Sequence, residues 1–156
     1  MNRHDGERPI ALIGLMGAGK SAVARVLGER LGVSVADLDG MIEAVEGCSV
    51  AELFERAGEA WFRRRESELL AEAIRSGVKV VACGGGVVLD PERRRMLRER
   101  CRVVWLEASP ATAAERLAQL LAERAPLYAE AAHARVATDG RSPEQVADAV
   151  IAAVGR

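Results

Sequence analysis

Aromatic residues are scarce in this chain. Two Phe, two Trp and one Tyr make up 3% of its 156 residues. None of them is interleaved with basic residues as a stacking surface for nucleic acid requires. An excess of charge of either sign is also missing. The 22 basic and 23 acidic residues leave a net charge of −1, so no global field draws the chain to nucleic acid or to an anionic membrane. Lysine is rare: Lys20 and Lys79 are the only two among those 22 basic residues. His4 and His133 are too few and too far apart for a metal site. Cys48, Cys83 and Cys101 lack C-x-x-C spacing and read as free thiols in a reducing cytoplasm. No apolar run reaches the roughly 20 residues of a membrane span. Residues 1–9 are polar and charged, which excludes a signal peptide. What remains, at 49% hydrophobic and 29% charged, is the composition of a soluble globular protein. The length suits one domain over residues 1–156, and the default expectation is a monomer.

Against these absences stands one dense signal. Residues 14–21 read G-L-M-G-A-G-K-S, the G-x-x-x-x-G-K-S phosphate-binding loop. An apolar strand at 10–13 precedes it and a helical pattern at 20–31 follows. A polyphosphate needs many N–H donors converging on it, and glycines let the backbone wrap the anion without crowding. The following helix presents its positive end. Gly17, Ala18, Gly19, Lys20, Ser21 and Ala22 are therefore the expected ATP contacts. Lys20 reaches the β- and γ-phosphates and the Ser21 hydroxyl ligates Mg²⁺.

Strand and helix patterns alternate along the rest of the chain. Strands are expected at 33–38, 78–83, 102–107 and 135–138. Helices are expected at 41–45, 50–56, 60–75, 91–100, 110–122 and from 143 to about 154, with Ser109 capping the fifth. This alternation predicts an α/β protein whose parallel sheet is covered on both faces. Ligands of such sheets bind at the carboxyl ends of the strands. Three strand ends carry chemistry: the phosphate loop, the pair Asp37 and Asp39, and Gly84-Gly85-Gly86. In an extended segment the two carboxylates would face the same way. One suits a metal and the other orients or deprotonates an acceptor hydroxyl; as plain loop acids, Asp39 would cap the next helix. Three consecutive glycines imply a positive φ or a close approach to the main chain, where N–H groups could bind an anion or a hydroxyl; a simple flexible turn is the competing reading. On the helix at 60–75, Arg63 and Glu66 are placed to pair, and a paired arginine is a bidentate carboxylate receptor; read without that context, the stretch is an ordinary amphipathic helix. The run 93–95 reads as a solvated helix face.

Together these pieces resemble the shikimate kinase family. The resemblance is carried by GLMGAGKS at 14–21, DLD at 37–39, SVAELFERAGEAWFRRRE at 49–66, ACGGGVV at 82–88 and ERAPLY at 123–128. It implies a three-layer α/β/α P-loop kinase fold with five parallel strands in the order 2-3-1-4-5. It implies transfer of the γ-phosphate of ATP to the 3-hydroxyl of shikimate, on the route to chorismate, with Mg²⁺ as cofactor. Residue by residue, Lys20 and Asp39 would be catalytic, with Ser21 and Asp37 at the metal. Arg63 and Arg124 would clamp the substrate carboxylate. Phe54 and Phe62 would line the ring pocket, and Gly84, Gly85 and Gly86 would meet the substrate with their backbone. Arg116 would lie beside the adenine. The resemblance departs at one place. The family carries a mobile lid with an R-P-L-L segment and an arginine between the helix after strand four and ERAPLY. Here residues 115–119 run almost directly into 120–124, and about 15–20 residues typical of a catalytic lid are missing. Impaired turnover is one expectation. The alternatives are a binding module without catalysis, or another small-metabolite kinase such as a gluconate kinase.

Overall fold

The computed structural model describes residues 8–15, 18–108 and 115–155, with side chains from 118 onward in the last stretch. Its elements run β1 (Ile10–Ile13), α1 (Lys20–Leu31), β2 (Val35–Asp37), α2 (Leu38–Glu46), α3 (Val50–Ala57) and α4 (Glu59–Arg75). They continue as β3 (Val80–Ala82), a 3₁₀ turn (Val87–Leu89), α5 (Pro91–Arg100), β4 (Arg102–Glu107), α6 (Glu115–Ala131), β5 (Ala134–Ala137) and α7 (Pro143–Ala153). The five strands are parallel and ordered β2-β3-β1-β4-β5, as expected.

Side-chain alternation in the strands explains the layers. Ala11, Ile13, Val81, Val103 and Trp105 pack on one face with residues of α2, α4, α5 and α6. Ile10, Leu12, Val80, Ala82, Val104 and Leu106 pack on the other with α1 and α7. Both faces are therefore buried, and the central strands read as unbroken apolar runs rather than alternating ones. The helix termini are locally encoded. Ser142 and Gln145 form a reciprocal capping box with Pro143 at the first turn of α7. Asp90 caps α5 through the Glu92 N–H, again ahead of a proline.

Four expectations change. Strand two is shorter than 33–38, and α2 already starts at Leu38. Asp37 is the helix cap, accepting from the Gly40 N–H, while Asp39 sits inside the first helical turn rather than in an extended segment. The helix after strand four does not stop at 122: α6 continues through Pro126 to Ala131, so ERAPLY is helical. The run 93–95 is not a solvated face either. Only Arg95 is strongly exposed, whereas Arg93 is buried and the Arg94 guanidinium donates to Val88 O at 2.6 Å. The expected cap Ser109 and the start of its helix lie outside the described residues.

Candidate active site

The phosphate loop leaves β1 and enters α1 at Gly19, whose φ of +85° is the left-handed conformation that favours glycine. Ala18 is buried, Gly19 and Ser21 are exposed, and Ala22 is half-buried. Gly17 lies outside the described residues. The Lys20 side chain folds back over the loop, donating to the carbonyls of Gly14 and Leu15. Burial holds its ammonium below the ordinary lysine value, while Cys83, Asp39, Asp37 and Glu66 oppose that shift. One cation is thus held over the loop among several acids.

Ser21 Oγ donates to Asp37 Oδ2 at 2.6 Å, joining the start of α1 to the end of β2. Two hard oxygen donors side by side at a phosphate loop fit Mg²⁺, which takes few protein ligands and completes its shell with phosphates and water. Asp39 stands one step deeper. Burial pushes its carboxyl above the ordinary range and Asp37 adds to the effect, while Lys20 and Arg63 pull it back.

None of the three glycines after β3 has a positive φ, and two of them, Gly84 and Gly86, are explained by close approach. A Cβ on Gly84 would collide with Glu66 Oε2 and stand 3.0 Å from Asp39 Oδ1. A Cβ on Gly86 would strike the Arg63 guanidinium. Bare backbone therefore lets two α4 side chains lie flat on the turn. Arg63 is anchored from several sides. Its Nη1 meets Glu66 Oε1 at 3.2 Å, and its Cζ lies 5.5 Å and 5.4 Å from the ring centroids of Phe54 and Phe62. The two rings pack 4.6 Å apart. Phe62 is buried in the core, so Phe54 offers the more accessible surface.

Arg124 is half-buried on α6 beside Tyr128. Tyr128 is fully buried, stacks on Trp105 at 5.7 Å, and donates its hydroxyl to Gly85 O. It ties α6 to the glycine turn, a role sequence reasoning missed although the ERAPLY segment contained it. The side chain of Arg116 lies outside the described residues. Also missed was a cavity of about 320 Å³ beside Gly19 and Val23, walled by Thr138–Arg141 of the β5–α7 turn. No signal in the sequence marks it, since it forms only when β5 lies two strands from the loop. Among the described residues there is no cluster of three His, Cys, Asp or Glu placed to hold a metal. No described helix is long and apolar enough to cross a membrane.

A phosphate cradle opening directly onto an anchored arginine suits a P-loop kinase whose acceptor is a small anion. The comparisons agree with that class. The family model for shikimate kinase matches residues 16–120, and the chain belongs to that family. A shikimate kinase of Symbiobacterium thermophilum is 43% identical, across 88% of this chain and 90% of that one. One of Synechococcus sp. (strain CC9902) is 42% identical, across 92% and 84%. The solved shikimate kinase of Acinetobacter baumannii in complex with shikimate superposes with a TM-score of 0.85 at 32% identity, across 95% and 93%. The Symbiobacterium match runs over 157 aligned positions but takes in 88% of 156 residues, about 137. About 20 positions of that relative, the difference, have no partner here. Among the described residues α6 is unbroken from Glu115 to Ala131, with no loop between Arg116 and Arg124.

Proposed function

We propose that this chain phosphorylates the 3-hydroxyl of shikimate with ATP and Mg²⁺, yielding shikimate 3-phosphate and ADP. The carrying observation is Arg63. A guanidinium laid on Gly86, held by Glu66 and flanked by two phenyl rings is a fixed receptor for a carboxylate on a ring. It lies on the same glycine turn as Asp39. Arg124 provides the second cation toward that carboxylate.

In this reading the triphosphate displaces Lys20 from its loop carbonyls, and the ammonium follows the β/γ oxygens. Ser21 and Asp37 would hold Mg²⁺, which when bound would supply charge neutralisation of the transferring group. Asp39 accepts the proton of the acceptor hydroxyl as its oxygen forms the bond to phosphorus and the β–γ bridge breaks. Backbone of 84–86 meets the acceptor, with Phe54 along its ring and Phe62 supporting from beneath. The base of ATP occupies the cavity beside Gly19 and Thr138–Arg141, with Arg116 beside the adenine as the family resemblance implies. Solution as a monomer in the cytoplasm is part of the same reading.

A second reading, binding with little turnover, is favoured by the 20 unmatched positions. Gluconate also carries a carboxylate for Arg63 but has no ring to lie along Phe54, so the phenyl wall beside Arg63 favours shikimate over gluconate. An ADP-release assay with shikimate, with gluconate and with no acceptor separates the three. ADP release that rises only with shikimate is the expected result; release with gluconate, or equal release without acceptor, would refute the assignment.

A further inference from the structure

Arg93 lies on α5, outside every motif that identifies the site, yet its side chain is only 5% exposed. It reaches across to α4 and makes two contacts there. Its Nη1 meets Glu66 Oε1 at 3.2 Å, and its Nη2 donates to the Arg63 carbonyl at 3.2 Å. The first contact falls on the same oxygen that Arg63 Nη1 meets at 3.2 Å. Glu66 Oε2 has no hydrogen-bond partner and presses instead on Gly84. One fully buried carboxylate oxygen therefore serves two guanidinium groups.

Charge counting shows what this sharing does. Arg63 and Glu66 alone would form a neutral pair, and a neutral pair is a poor receptor for an incoming carboxylate. With Arg93 on the same oxygen, the triad carries a net positive charge, and its outer acids, Glu59 and Asp90, stand at longer range, 3.7 Å and 3.6 Å, with side chains 62% and 45% exposed. We infer that Arg93 is a positioning residue of the acceptor site: it shares the charge of Glu66 and fixes the Arg63 main chain, so that Arg63 keeps a positive edge for the acceptor's carboxylate. This rests on the reading of the site as a receptor for a carboxylate acceptor.

The test compares shikimate with its methyl ester, by calorimetry on the full chain, in wild type, Arg93→Met, Arg93→Lys, Glu66→Gln and the double variant Arg93→Met with Glu66→Gln. Contacts within one charged network couple strongly, and a loss of about tenfold is expected here. Arg93→Met should weaken the acid about tenfold while ester and ATP affinities stay within about twofold; a merely structural loss would weaken acid and ester together. Arg93→Lys should keep most of the acid-over-ester preference, because the charge remains. Beside Glu66→Gln, loss of Arg93 should cost far less preference than it does alone. That comparison stands even where Arg93→Met folds poorly, since the double variant leaves no buried carboxylate short of a partner. An unchanged acid-over-ester ratio in Arg93→Met, or an equal penalty with and without Glu66→Gln, overturns the inference and leaves the proposed function intact. A wild type that binds neither acid nor ester overturns both.

Discussion

Turnover should be slow in this chain and recoverable by adding a lid. Phosphoryl transfer leaves little covalent work to the protein, so rate follows from positioning and from positive charge on the transferring group. Lys20 is the cation poised over the phosphate loop. Arg63 is tied to Glu66 and lies on Gly86, and Arg124 stands beside Tyr128, so in the proposed reading both serve the acceptor side. An arginine acting on the transferring phosphoryl group is worth about 10³–10⁵ in related P-loop enzymes. Ground-state contacts remain, so affinity should suffer less than rate. We expect turnover at least about 10²-fold below the usual kinase range of about 1–100 s⁻¹. A family-type segment with its R-P-L-L and arginine, grafted between Leu117 and Leu121, should restore at least about 10²-fold. The graft interrupts α6 near its start but spares its anchored part. Tyr128 holds Gly85, and Arg98 donates to Glu130 O and Ala132 O at 3.0 and 3.2 Å. The measurement is the initial rate of ADP release with saturating shikimate, before and after grafting, with melting curves to confirm folding. Turnover of several per second without the graft would refute the reasoning and make Arg116 the first candidate for the missing cation.

Three further outcomes are expected. Lys20→Ala should weaken ATP–Mg²⁺ binding in calorimetry while circular dichroism stays native; unchanged affinity would sink the phosphate-loop assignment. Arg63→Ala should cost shikimate affinity about 30-fold or more, the lower end of about 2–5 kcal/mol for a broken desolvated pair, because Arg93 still compensates Glu66; a loss under threefold would remove Arg63 from the clamp. Asp39→Asn should lower turnover by about 10²-fold with ATP affinity nearly unchanged. Because Asp39 acts ionised and burial raises its pKa, wild-type activity should fall with decreasing pH at a point above the ordinary aspartate value of 3.8. A flat acid limb down to that value would contradict the assignment.

Much of this molecule is legible in the chain because its signals are local. The strand–loop–helix at the phosphate site, the Pro91 and Pro143 helix starts and the apolar strand cores each depend on a few neighbouring residues, and β1, α1, α5 and β4 fall on their expected limits. D-L-D reads most simply as one extended segment, because period two puts Asp37 and Asp39 on the same side. The Asp37 cap on Gly40 turns the chain into α2 at Leu38, three residues before the expected start at 41. The extent of α6 was hidden by Pro126, which reads as a stop although the helix passes through it. Arg93 was hidden for a deeper reason. Three arginines in a row look alike, and only the packing of α5 against α4 decides which one is buried.

The placement of those arginines makes the site a set of shared partners rather than isolated contacts. Lys20 is held by loop carbonyls, Ser21 by Asp37, Arg63 by Glu66, and Glu66 in turn by Arg93. Each group that would grip a ligand thus has an internal partner to exchange. Exchange lowers net affinity, because a bond is given up for each one made, but it holds every side chain near its working position. For a reaction governed by positioning, that is the favourable side of the trade. It also explains the bare backbone at 84 and 86, where a side chain would displace Glu66 or Arg63. Glu66 and Arg63 must lie directly on the backbone for the sharing to occur, and a methyl group at either position would push the clamp off its seat.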